Sequence, residues 1–133
     1  MALLKHKPIS AETNRLAGKV VSAAYLVHHE LGPGLLESIY ETCVAHVLKS
    51  AGLKVERQVA MPVRFQSVVL ETGFRIDLMV ADQLIVELKT VDALLPVHKA
   101  QLITYLKLSG CRLGLLINFN VEVLKKGLQR VAL

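Results

Sequence analysis

Two apolar stretches carry residues suited to joint chemistry. Asp77 lies in GFRIDLMV (73–80), and Glu87 and Lys89 lie in LIVELKT (84–90). The pattern predicts a hairpin. If Phe74, Ile76, Leu78 and Val80 face the same core as Leu84, Val86 and Leu88, burial sets the register, because a slip of one residue turns one set to solvent. Val80 then opposes Leu84, Leu78 opposes Val86 and Ile76 opposes Leu88, around a connection of residues 81–83. On the other face Asp77 comes opposite Glu87, with Cβ atoms about 5 Å apart, and Lys89 follows on the same side as Glu87. Carboxylates that close repel unless a lysine, a proton or a divalent metal stands between them. Mg²⁺ binds through one or two carboxylates and keeps several waters for substrate chemistry. A solvated hairpin face with ordinary surface charges gives the same pattern, so an isolated D…ExK is a weak signal.

Two further segments supply polar groups. In a helix opened by Pro96, at about 100° per residue, His98, Gln101 and Tyr105 share one stripe beside an apolar face of Leu102, Ile103 and Leu106. Gln101 and Tyr105 have the groups to hydrogen-bond a phosphate or to orient a water or a lysine. Tyrosine at such a boundary is also commonplace, and a lone histidine there is more often structural or exposed than catalytic. Glu37, in LGPGLLESIY (31–40), enters a helix on the side shared by Tyr40, Val44, Val47 and Leu48. A carboxylate on an apolar side is costly unless paired or bound to a cation, although the helix dipole favours negative charge in the first turn. The functional reading aims Glu37 into the same pocket as Asp77 and Glu87.

The elements that must position these groups are legible from periodicity. Leu16, Val20, Ala23, Val27 and Leu31 recur at helical spacing over 11–31, with Ser10 as the cap. GPG at 32–34 breaks that helix, and a second runs from about 35 to 50 and ends near Gly52. Residues 54–65 and 67–71 are β-like with Pro62 as an interruption, and the two strands of the hairpin follow. The helix from Pro96 reaches about residue 109, where Gly110 stops it. RLGLLINF (112–119) is a buried strand by its continuous apolar run, and the tail offers a helical turn near 121–125 and a strand at 127–132. This order predicts an α/β (mixed α+β) fold in which helices flank a mixed central sheet.

The composition fits one domain spanning residues 1–133. The chain is 53% hydrophobic, high for a small monomer, so part of the apolar surface is expected to be covered in a homodimer or by a partner protein. No apolar run reaches the roughly eighteen residues of a membrane span. MALLKHKPIS has neither a long apolar core nor a small-residue cleavage site, which argues against a signal peptide. Cys43 and Cys111 lack CxxC spacing and read as buried, reduced thiols, pointing to a reducing, cytoplasmic setting. The net charge of +5 favours polyanionic partners, though only weakly by itself.

Taken together, D77…E87-L-K89 followed by Q101-L-I-T-Y105 resembles the PD-(D/E)XK nuclease superfamily, including its branch with a QxxxY helix. G34-L-L-E37-S-I-Y40 resembles the signature of the small bacterial GxxExxY proteins, a family placed in that superfamily, and IVELK, HKAQLITYLK and GLLINF strengthen the match. The resemblance runs from about Val20 to Val131 and implies a restriction-endonuclease-like core. It assigns Asp77, Glu87 and the main-chain carbonyl of Leu88 to a divalent metal, Mg²⁺ (or Mn²⁺), with Glu37 as the helical acid that often holds a second metal or its water. It assigns Lys89 to the attacking water or the phosphorane charge, and Gln101 and Tyr105 to support of the lysine and phosphate. Ile76 stands where the name-giving proline would be, a position that varies within the superfamily. The implied activity is metal-dependent hydrolysis of phosphodiester bonds in DNA or RNA. The alternative is a non-catalytic nuclease-fold module that binds or adapts with a partner protein.

Overall fold

Ser10 starts the first helix by accepting the backbone N–H of Thr13 at 3.1 Å, which satisfies one of the donors orphaned at a helix start. The computed structural model describes residues 8–71 and 73–133; the first seven residues of the stretch read for a signal peptide lie outside them. Helix α1 (Ala11–Leu31) is followed by α2 (Glu37–Ser50), β1 (Val55–Ala60), β2 (Val63–Phe65), β3 (Val68–Leu70), β4 (Arg75–Val80), β5 (Leu84–Lys89), α3 (Pro96–Ser109), β6 (Leu113–Asn118), a 3₁₀ turn (Leu124–Gly127) and β7 (Leu128–Ala132). Each falls close to its predicted span. No helix among the described residues is long and apolar enough to cross a membrane.

β1, β4, β5, β6 and β7 form one sheet in that order, and β2 and β3 form a separate ribbon. β5 and β6 are parallel and the other neighbours antiparallel, so the sheet is mixed. α3 connects the parallel pair, as such a crossover requires. The sheet carries apolar clusters on both faces. One joins α1 and α2 to Leu78, Val80, Leu84, Val86, Leu113, Leu115 and Ile117. The other joins Leu102, Tyr105 and Leu106 of α3 to Met79, Ile85 and Leu116. Burial on both faces accounts for the unbroken apolar run of β6. Gly114 allows α3 to approach this closely, since a Cβ there would lie 2.7 Å from a methyl of Leu102.

The hairpin register holds only near its turn. Val80 pairs with Leu84 and Leu78 with Val86, around Ala81 and Asp82 in left-handed conformations. The expected pairing of Ile76 with Leu88 does not form, because the ladder ends at Leu78 and Val86. Ile76 leaves the cluster of Leu78 and Val80 and packs in the α3 cluster, and half-exposed Phe74 meets the edge of Tyr105 at 6.3 Å. The alternation therefore breaks at Asp77. The neighbouring strand is irregular at the same level: β1 pairs Arg57 with Leu78 and Val59 with Ile76 but skips the position between, where Gln58 has φ of 52°. Among the thiols, Cys111 is buried as expected, whereas Cys43 is half-buried; both are free.

Candidate active site

The end of the β4–β5 hairpin opens where the ladder stops, and two carboxylates fill the gap. The Asp77 N–H donates to Glu87 Oε1 at 3.0 Å, and the Leu88 N–H donates to Asp77 Oδ2 at 2.8 Å. Each side chain replaces a backbone acceptor that the neighbouring strand would supply in a regular ladder. Asp77 and Glu87 do lie opposite one another, but their face is not solvated: they are 9% and 3% exposed. The α3 layer lies on that side, and Tyr105, only 2% exposed, is near enough to feel both charges.

The electrostatics follow from this burial. Desolvation, and then the charge of Asp77, pushes Glu87 up to about 8. Desolvation likewise raises Asp77, reinforced by Glu41 and opposed by the Leu88 N–H, Lys89 and Gln58. Tyr105 is pushed up to about 12 by burial and then by Glu87 and Asp77. Lys89 ends β5 half-buried and exerts its charge on Asp77, Glu87 and Glu37. Among the described residues it forms no ion pair; the pairs present join Lys54 to Glu56 and Asp82, and Arg57 to Glu41. Without a further cation the pair holds on to a proton, because its surroundings do not compensate two ionised carboxylates.

Glu37 is the first residue of α2, in helical line with buried Tyr40, Glu41, Val44 and Leu48, and is itself half-buried at the helix end. Burial raises its pKa first, then the charge of Asp77, which puts it in the field of the site. The turn before it is pinned by Tyr40, whose hydroxyl donates to the Gly32 carbonyl and accepts from the Leu35 N–H. The Tyr40 ring stacks on Phe119 at 4.5 Å. Gln101 is half-buried on α3. His98 caps α3, with Nδ1 accepting the Leu95 N–H at 3.0 Å, which is the structural reading of that residue.

Four residues of this neighbourhood escape a reading by motif. Glu41 is 6% exposed and accepts from Arg57 Nε and Nη2 at 3.1 and 3.0 Å and from Gln58 Nε2. Gln58 Nε2 also reaches Asp77 Oδ1 at 3.3 Å. The Glu37–Glu41 spacing of four was the available signal for Glu41; nothing marked Arg57 or Gln58. Asn118, 1% exposed, binds the N–H and carbonyl of Val91 at 3.1 and 2.8 Å. With the Phe119 N–H donating to the Lys89 carbonyl at 2.9 Å, it fixes the chain where Lys89 emerges. A buried asparagine ending an apolar strand was its only trace in the sequence.

Whether these residues suit a divalent ion is a question of donor chemistry. Among the described residues, no three His, Cys, Asp or Glu side chains gather as a ready-made metal cage. What is present is two buried carboxyl groups whose raised pKa values show that they lack a full complement of cations, each keeping acceptor capacity beyond its one backbone N–H. Hard oxygen donors from two carboxylates, completed by water, suit Mg²⁺ or Mn²⁺ and not the soft sites of zinc or copper.

A mixed five-stranded sheet with helices on both faces, split open at its centre around an acid pair, defines a restriction-endonuclease-like α/β protein. The chain belongs to the PD-(D/E)XK nuclease superfamily, whose family model it matches over residues 14–131. No curated protein and no solved structure matches it.

Proposed function

We propose that this chain is a metal-dependent nuclease that hydrolyses phosphodiester bonds of DNA or RNA, using Mg²⁺ or Mn²⁺, and that it is a GxxExxY-type member of the superfamily. The observation that carries the reading is the crossed pair of hydrogen bonds that holds Asp77 and Glu87 together, buried and short of positive charge. Those two backbone N–H groups need acceptors, but neutral amide side chains would accept them without the cost of burying two carboxylates.

Asp77, Glu87 and the carbonyl of Leu88 would hold the ion, with Glu37 supporting a second ion or its water. When bound, the metal supplies polarisation of a phosphoryl oxygen and a lowered pKa for a bound water. Lys89 brings to the rim a cation that no ion pair claims among the described residues, and there it would orient the attacking water and stabilise charge developing on the phosphate. Tyr105 and Gln101 on α3 support the lysine and the phosphate. Tyr105 stays protonated at neutral pH, consistent with its pKa near 12, and so acts as a donor. The excess of Lys and Arg would hold the nucleic-acid backbone through salt-sensitive phosphate contacts. Two free cysteines fit a reducing, cytoplasmic setting, and the match over residues 14–131 fits a single domain.

The test is cleavage of single- and double-stranded DNA and RNA with Mg²⁺ or Mn²⁺, alongside calorimetric titration of Mn²⁺. We expect binding that Glu87→Ala abolishes, and cleavage that falls at least ~100-fold in Lys89→Ala. Wild-type chain that releases no Mn²⁺ heat rejects the metal site. Binding without cleavage of any substrate rejects the enzyme and leaves a nuclease-fold binding module.

A further inference from the structure

Gln58 adopts a backbone conformation that glutamine rarely takes. Its φ of 52° lies in the left-handed region, which crowds a Cβ and is costly outside glycine, asparagine and aspartate. It occupies the one level at which β1 and β4 fail to pair, opposite Asp77. The twist turns its side chain towards α2, where the amide nitrogen serves two acids at once, Glu41 Oε1 and Asp77 Oδ1.

An amide can present either its oxygen or its NH₂ group. Glu41 removes that choice. Its carboxylate accepts only, it is buried, and its other oxygen is held by Arg57 from two nitrogens, while Arg57 Nη2 also donates to the Thr42 hydroxyl at 2.8 Å. With Glu41 so anchored, Gln58 must turn its NH₂ group towards both carboxylates. Asp77 is then gripped on both oxygens: Oδ2 by the Leu88 N–H and Oδ1 by Gln58.

We infer that Gln58 is a positioning residue for Asp77, and that Arg57 and Glu41 serve to fix which end of its amide faces the site. The inference rests on the metal-site reading above. Outer partners of this kind orient a ligand before the ion arrives, and their loss typically costs ~10–100-fold in metal affinity. The 3.3 Å contact is long enough to steer the carboxylate while leaving Oδ1 able to accept a cation.

Gln58→Gly provides the test, because glycine accepts the left-handed backbone without strain but carries no amide. Gln58→Asn, which tolerates the same backbone and is too short to bridge both acids, is the second variant. Mn²⁺ affinity is measured by calorimetry on wild type and both variants, and melting temperature on each without metal. The expected result is at least ~10-fold weaker Mn²⁺ binding in both variants, with the metal-free melting temperature of Gln58→Gly within ~4 °C of wild type. Equal affinity in wild type and Gln58→Gly overturns the inference. So does an affinity loss that tracks a matching fall in melting temperature across both variants, since Gln58 would then be structural. A wild type that binds no Mn²⁺ overturns the metal site itself and this role with it.

Discussion

Asp77 and Glu87 are tied by their backbones as well as by their charges: the Asp77 N–H donates to the Glu87 carboxylate, and the Asp77 carboxylate accepts the N–H of Leu88, the residue after Glu87. The two acids therefore perform a structural task in the absence of any ion. They complete the hydrogen bonding of strands that have parted, and each substitution has to be judged against that task as well as against catalysis.

Asp77→Asn separates the two. An asparagine oxygen can still accept the Leu88 N–H, and the relief of burying a charge offsets the mild repulsion of its NH₂ group from that of Gln58. Cleavage should fall by ~100-fold or more, from loss of an anionic ligand, while the melting temperature stays equal or rises. Turnover assays and thermal melting report the two effects. Undiminished turnover rejects Asp77 as a ligand, whereas a large drop in melting temperature would show that the charge itself holds the strands.

Glu87 gives the fold a pH dependence. Its pKa moves from 4.5 to about 8 on folding. Between those values the folded chain keeps a proton that the unfolded chain has released, so metal-free stability falls as pH rises across that window. The contribution across the whole window is on the order of 5 kcal/mol. Melting in chelator at pH 5 and pH 8 should show a wild-type decline that is largely absent in Glu87→Gln. Parallel curves would mean that Glu87 is already ionised in the folded metal-free chain.

Tyr40→Phe should keep the stacking on Phe119 and lose both hydrogen bonds that pin residues 32–35. The cost should be ~1–3 kcal/mol, the range for leaving buried polar groups unpaired. Denaturant unfolding measures it. No change in stability would mean that the turn before Glu37 holds itself without the hydroxyl.

Gly127→Ala should be among the most damaging single-methyl additions. A Cβ there would lie 2.2 Å from the Asn118 carbonyl oxygen, and backbone cannot yield as a side chain can. The shift would disturb Asn118 and hence its grip on Val91, just after Lys89. A loss on the order of 3 kcal/mol is expected, read by thermal melting; a variant as stable as wild type would show that the 3₁₀ turn moves freely.

The sequence by itself determined the helices and strands. Helical spacing, Ser10, the GPG turn, Pro96 and Gly110 act within a few residues of themselves, so their effects are readable in one dimension. The pairing of Asp77 with Glu87 was equally legible, because the apolar residues beside the turn at 81–83 leave one register that buries them. That same logic failed beyond Leu78. It presumes that alternation continues, and the sheet breaks the pattern where Gln58 and Asp77 part, sending Ile76 to the other face.

Only the tertiary structure decided that the acid pair is buried, since a strand's own pattern does not reveal what packs on its polar side. It also decided that Glu41, Arg57 and Gln58 gather behind Asp77, and that Asn118 holds the chain beside Lys89. These contacts join residues far apart in the chain through one or two side-chain hydrogen bonds each, with no periodicity. A local pattern can announce a charged side chain, but its desolvation and its partners are set by elements that meet only when the chain has folded.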